Sequence, residues 1–174
     1  MNLTKTWASL LLPLLLSLTL NAYALEPNGT AVYNELGSQL YIGTLFLDTR
    51  NQTANEILGS SQSKRMELRF TDAMSKRRWT QNWTQSIAIN ASREDMVAAA
   101  DDLSDALSAF QSGLKYGDQV IIDYDPLYGT SMSVNGVVLI KEKSATLFNL
   151  FLSSWIGPVP PNSQFKNAIL GLED

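Results

Sequence analysis

The chain has 174 residues, 17 acidic against 13 basic side chains, a 45% hydrophobic fraction, and neither Cys nor His. Without those two types there is no thiol nucleophile, no Ser-His-Asp triad, no zinc site of the usual N/S kind and no common axial haem ligand. The net charge of -4 argues against nucleic acid or an anionic membrane surface as a main partner, because clustered positive charge recruits both.

Met1–Ala24 reads as a secretory signal: an early Lys5, the Leu-rich stretch from Trp7 to Leu20, then Ala22-Tyr23-Ala24 as a small-x-small cleavage site. The apolar run is shorter than the roughly 20 residues a membrane span needs, and Pro13 interrupts it. The expectation is cleavage after Ala24, leaving residues 25–174 as one domain in the bacterial periplasm, with no integral membrane segment after processing. Lys5 is the only charge removed, so the remainder is one unit more acidic. Asn-x-Ser/Thr triplets at Asn28, Asn51, Asn82 and Asn90 would be glycan acceptors in a eukaryotic host, but the Ala-x-Ala end and compact size fit a bacterial exporter better.

Thr30–Asn34 and Ser38–Leu47 alternate apolar and polar residues and are separated by Glu35-Leu36-Gly37, which predicts two neighbouring strands. Thr53–Leu58 fits a helical turn within a polar connection. In Arg65–Phe70, Met66, Leu68 and Phe70 alternate with Arg65, Glu67 and Arg69, the pattern of a half-buried strand with a charged outer face. Ser75 is placed to cap a helix running to about Asn90, with Trp79, Trp83 and Ile87 as its apolar stripe. Ser92 with Asp95 opens a second helix, whose buried face runs from Met96 through Ala99, Leu103, Leu107 and Phe110 to Leu114, until Gly113 and Gly117 break it.

Asp118–Asp125 is a Val/Ile-rich strand bounded by Pro126 and Gly129. Asn135-Gly136 joins Ser131–Val134 to Val137–Lys141 as a hairpin, since this dipeptide accepts positive φ at both central turn positions. Ser144 caps a helix with Leu147, Phe148, Phe151 and Trp155 inward, stopped by Gly157-Pro158, and Asn162–Leu172 forms a short last helix. This order predicts an α+β domain with helices over one face of a mainly antiparallel sheet.

Several fragments, in order, resemble the bacterial secreted branch of the chalcone isomerase-like superfamily. They are Tyr41–Leu47, the Arg65–Phe70 strand, Tyr116-Gly117-Asp118, Asp123-Tyr124, Gly129-Thr130, Val134-Asn135-Gly136, Ser154-Trp155-Ile156-Gly157-Pro158, and Phe165-Lys166 leading to Ile169-Leu170-Gly171. The resemblance implies a large antiparallel sheet, a layer of helices and an apolar cleft between them. Plant enzymes of the family close a flavanone ring by attack of a phenolate on an enone, and related plant proteins hold fatty acids.

The enzymatic relatives use an Arg on an early strand, a Tyr near the start of the first long helix, and an Asn and a Ser/Thr toward the ligand. A fixed cation suits that chemistry because it stabilises the charge that develops on the enolate. Here no Lys or Arg occurs between Leu25 and Thr49, and no Tyr between Asp48 and Lys115. Asn82 and Ser154 match the other two positions. Each has two readings: ligand contact, or a polar residue beside the Trp stripe (Asn82) and a small packing residue in a helix (Ser154).

Trp79, Trp83, Tyr41 and Trp155, with Phe148 and Phe151, are candidates for lining the cleft, against the alternative that they are plain core. Lys76-Arg77-Arg78, with Lys64, Arg65 and Arg69, is either an anion site or a solvated face. Asp101, Asp102 and Asp105 lie on the polar face of a helix, and with Asp123 and Asp125 they match no calcium-loop spacing. The functional expectation is a non-catalytic protein that binds a small apolar molecule, lipid or fatty-acid-like, or serves as an envelope accessory, with no metal, no cofactor and no catalytic residue assigned. The alternatives are an isomerase on an unknown substrate and a structural interaction module with a filled core.

Overall fold

The computed structural model describes residues 24–172. The segment read as an export signal therefore lies, but for Ala24, outside the described residues. Six strands, β1 (Glu26–Glu35), β2 (Ser38–Leu47), β3 (Lys64–Phe70), β4 (Gln119–Asp125), β5 (Gly129–Val134) and β6 (Val137–Glu142), form one sheet in the order β1-β2-β3-β4-β5-β6. Every neighbouring pair is antiparallel. The α+β expectation holds, in its simplest connectivity.

The alternation along the strands makes the sheet two-faced. Tyr33, Tyr41, Leu45, Leu47, Met66, Leu68, Phe70, Val120, Ile122, Met132 and Ile140 are buried on one side. The other side carries polar pairs: Arg65 with Asp123 at 2.6 Å and the Thr30 and Thr44 hydroxyls at 3.0 Å across strands, and Arg69 with Glu67 at 2.8 Å along β3. At the Asn135-Gly136 turn both residues have positive φ, 51° and 79°, as predicted. The Asn135 side chain fixes the turn by accepting from the Gln119 amide and donating to Asp118.

The helices are α1 (Ala54–Gly59), α2 (Lys76–Asn90), α3 (Arg93–Ala98), α4 (Ala100–Ser108), α5 (Ala145–Ile156) and α6 (Ser163–Ile169). Ser75, Ser92, Ser144 and Asn162 cap four of them, each side chain accepting an amide in the first turn. From Leu150 to Ile156 every residue of α5 is buried, so this helix is enclosed by the sheet and α2 together rather than laying one stripe on a surface.

Two expectations need correction. The helix predicted to run from Ser92 to Leu114 is broken at Ala99, which leaves helical geometry (φ -117°, ψ 21°), and it ends at Ser108. The early end has its reason beyond the helix: Leu114 is drawn into a two-way backbone bridge with Met74, both bonds 2.8 Å. Gly113 approaches so closely that a methyl there would sit 2.5 Å from the Met74 carbonyl. The last helix likewise stops at Ile169, before Gly171 at φ +68°.

Candidate functional site

A cavity of about 310 Å³ opens between α2, the C-terminal half of α5, the facing ends of β1 and β2, and the loop at Val159–Pro161. Its floor is aromatic. Tyr33 and Tyr41, register partners across β1 and β2, stack at 4.7 Å and 6°. Phe165 of α6 meets Tyr33 edge-on at 5.4 Å and fills the space left by Gly43, where a methyl would lie 2.5 Å from its ring. The wall on the α2 side follows from helical spacing: Trp79, Asn82, Trp83 and Ser86 recur at three and four residues and face the same way.

All six residues singled out from the sequence, Tyr41, Trp79, Asn82, Trp83, Ser154 and Trp155, line this one cavity. Their roles there differ. Ser154 accepts from Trp83 Nε1 at 3.1 Å and donates to the Phe151 carbonyl at 2.6 Å. Tyr41 Oη accepts from Trp155 Nε1 at 2.9 Å. Asn82 donates to Glu35 Oε2 at 3.4 Å, the same oxygen that takes a 2.9 Å bond from Arg78. Thus two of the three lining indoles are satisfied by neighbouring hydroxyls.

The third is not. Trp79 is 4% exposed, lines the cavity, and its Nε1–H has no hydrogen-bond partner among the described residues. A buried donor left unpaired costs about 1–3 kcal/mol.

Phe148 and Phe151, also considered for the lining, are fully buried but do not reach the cavity. Phe151 lies under Trp83, stacked at 4.3 Å, and Phe148 packs on Tyr124 on another side of α5. Sequence reading missed Tyr33, Glu35, Gln85, Ser86 and the Val159-Pro160-Pro161 segment. For Tyr33 and Glu35 a signal was present: both occupy inward positions of the β1 alternation, after buried Ala31.

Both tyrosines are held neutral. Burial raises Tyr33 above the usual tyrosine value, Glu35 adds to this and Arg78 opposes it. Burial raises Tyr41 further, aided by Tyr33 and Glu35, with the Trp155 bond acting the other way. No Lys or Arg lines the cavity. Its chemistry is accordingly an apolar aromatic box with a carboxylate engaged by Arg78 and the amide and hydroxyl groups of Asn82, Gln85, Ser86 and Ser154.

Lys64, Arg65, Arg69 and Arg78 do not gather into one anion site, and the three arginines each pair with a carboxylate. Lys64 lies on the inner face of β3, and Arg65 and Arg69 on the outer face, each paired with a carboxylate. Lys64 is 1% exposed and donates to the Ile57 and Ser60 carbonyls at 2.8 Å, closing the C-terminal end of α1, and to Asn149 at 3.4 Å. Its ammonium stands 5.3 Å from the Tyr124 ring centre and 5.8 Å from that of Phe148. Among the described residues no group of acidic side chains gathers to hold a metal ion, and no helix is long and apolar enough to cross a membrane. Asp125 instead accepts from the Leu127 and Tyr128 amides in its own turn.

No curated protein matches the chain. Among solved structures it is similar to the Arabidopsis thaliana fatty-acid binding protein AtFAP1, at 14% identity and a TM-score of 0.61, over 84% of this chain and 86% of that one. That likeness is one of fold: the same sheet-and-helix arrangement carried by a very different sequence. The chalcone isomerase-like family matches residues 14–171, almost the entire chain, and this protein belongs to that family.

Proposed function

We propose that this protein is a non-catalytic binder of a small, mostly apolar molecule, working in the bacterial periplasm. The observation that carries the reading is the 310 Å³ cavity with its aromatic floor and walls, a size and composition typical of small-molecule sites. A filled core without a cleft, the interaction-module alternative, does not fit a void of that size. The fatty-acid binding named for the Arabidopsis protein supports the general class of activity by analogy of fold.

Catalysis of the ring-closing kind is disfavoured on chemical grounds. The cavity has no lining cation to stabilise an enolate, and its two phenols are held in the neutral form. The periplasmic location rests on the Met1–Ala24 segment. An accessory role in the cell envelope is compatible with it.

The test is native mass spectrometry of the protein recovered from its host's periplasm, followed by solvent extraction of whatever travels with it. A stoichiometric apolar companion, on a chain that begins at Leu25, supports both parts of the reading. Flavanone formation above the uncatalysed rate would replace it with the isomerase reading.

A further inference from the structure

The opening of the cavity is edged by three segments, and side chains tie them into a ring. α2 is tied to the loop at Val159–Pro161 by Asn90, which accepts from the Val159 amide at 2.7 Å and donates to the Val159 carbonyl at 2.9 Å. That loop is tied to the end of β1 by Asn162, which donates to the Asn34 carbonyl at 3.3 Å. β1 is tied back to α2 by Glu35, whose Oε2 accepts from Arg78 at 2.9 Å and from Asn82 at 3.4 Å, residues one helical turn apart. Among the described residues these last two are the hydrogen bonds that join α2 to β1 or β2.

The ties are unequal. The loop side is braced further by Lys166, which donates to the Gly157 carbonyl at 2.8 Å, and Gly157 lies so close to Asn90 that a methyl there would sit 2.4 Å from its Oδ1. The Glu35 side is held by charge at the surface, the Arg78 and Glu35 side chains being 39% and 29% exposed. Such a pair contributes little and, once parted, leaves both charges in water rather than stranded in the core. Nor does packing hold the turn beside it: Leu36 is 94% exposed, and a methyl on Gly37 would meet no atom within 4 Å.

We infer that Glu35 and Arg78 form the latch of this cavity: its ligand enters and leaves where the β1–β2 turn parts from the first turns of α2, while the Asn90 end stays closed. This rests on the binding reading above and adds the route to it. The latch governs the rate of exchange and leaves affinity nearly unchanged. A tie that is closed both with and without ligand cancels from the equilibrium, and counts only against the open state through which the ligand passes.

The experiment is stopped-flow mixing of the purified chain with N-phenyl-1-naphthylamine, read by energy transfer from the lining indoles. This neutral aromatic probe occupies roughly 200 Å³ at organic packing density, within the about 310 Å³ present. Arg78→Met and Glu35→Ala, each checked for folding by circular dichroism, should raise the entry and exit rates about fivefold, the worth of one partly exposed ion pair, and keep Kd within about twofold of the native value. The exchanged pair, Glu35→Arg with Arg78→Glu, should return the rates toward the native ones. In the native chain, raising NaCl from about 0.05 to about 0.5 M should speed exchange about twofold by screening the pair, and leave Arg78→Met unmoved. Exchange rates that neither latch variant nor salt alters would overturn the inference and leave the binding function standing. So would faster exchange in Asn90→Ala alone, which would put the passage at the other end. No binding of the probe would remove the binding reading itself, and this inference with it.

Discussion

Lys64 provides the sharpest physical test of the fold. Burial lowers its ammonium from the ordinary 10.5 to about 8 in the folded chain. Between those values the unfolded chain binds more protons than the folded one, so stability must rise with pH across that window and be flat below it. At about 1.4 kcal/mol per unit, with both titrations only partly complete at the ends, the gain from pH 7 to pH 10 is about 2.5 kcal/mol. Tyr33 and Tyr41 act in the opposite sense above pH 10, where the unfolded phenols ionise first and pull stability down. Comparison with Lys64→Met cancels that and every other background group. The assay is urea unfolding followed by the fluorescence of the buried indoles at pH 7 and pH 10, for both chains. The difference between them should shift by about 2.5 kcal/mol in favour of the native sequence at the higher pH. A shift below about 0.5 kcal/mol would refute the claim that burial dominates over the two carbonyls and the two ring faces that favour the charged form.

Three further outcomes follow from the packing. Gly29→Ala would place a methyl 2.1 Å from the Ala168 carbonyl and 2.8 Å from that of Ile169, both backbone atoms that cannot swing aside; it should cost about 2–4 kcal/mol by prising α6 from β1, read as a lowered urea midpoint. Ser154→Ala strips Trp83 Nε1 of its acceptor inside the core and should cost about 1–3 kcal/mol, and an unchanged midpoint would mean the indole finds another partner. Leu36→Asn should stabilise by up to about 1 kcal/mol in the same assay, because Leu36 sits at φ 51° and is 94% exposed, so it bears left-handed strain without packing in return.

Most of the architecture was legible because local signals agreed with the tertiary outcome. The Trp79, Trp83, Ile87 spacing, the Asn135-Gly136 turn and the serine caps each specify their element without help from distant residues. The misreadings arose where a long-range contact overrode the local pattern. Nothing near Ala99 announces a break, and the apolar spacing continues to Leu114, yet the bridge to Met74 claims that residue. Lys64 shows the reverse situation: strict alternation with Met66, Leu68 and Phe70 places it inward, and only the general rarity of buried lysine argued otherwise. For the site, residue type identified the aromatic lining. What no sequence pattern could supply was that Glu35, at the end of β1, would meet Arg78 and Asn82 across the opening.

The order of the six strands leaves the sheet unclosed, with β1 at one margin and β6 at the other. A margin strand offers unpaired backbone groups to any passing chain, and proteins guard against such templating. The two margins are guarded differently. β1 is held against the end of α6, where Asn28 donates to the Ile169 carbonyl. β6 has α4 as its helical neighbour; it is six residues long, its register with β5 slips at Met132–Ser133, and exposed Lys141 and Lys143 bracket its end. Brevity, irregular pairing and like charge therefore add to what α4 provides there. Neutralising both lysines, while leaving exposed Val137 and Val138 in place, is the change that would turn this margin into a seed for chain-to-chain strand pairing.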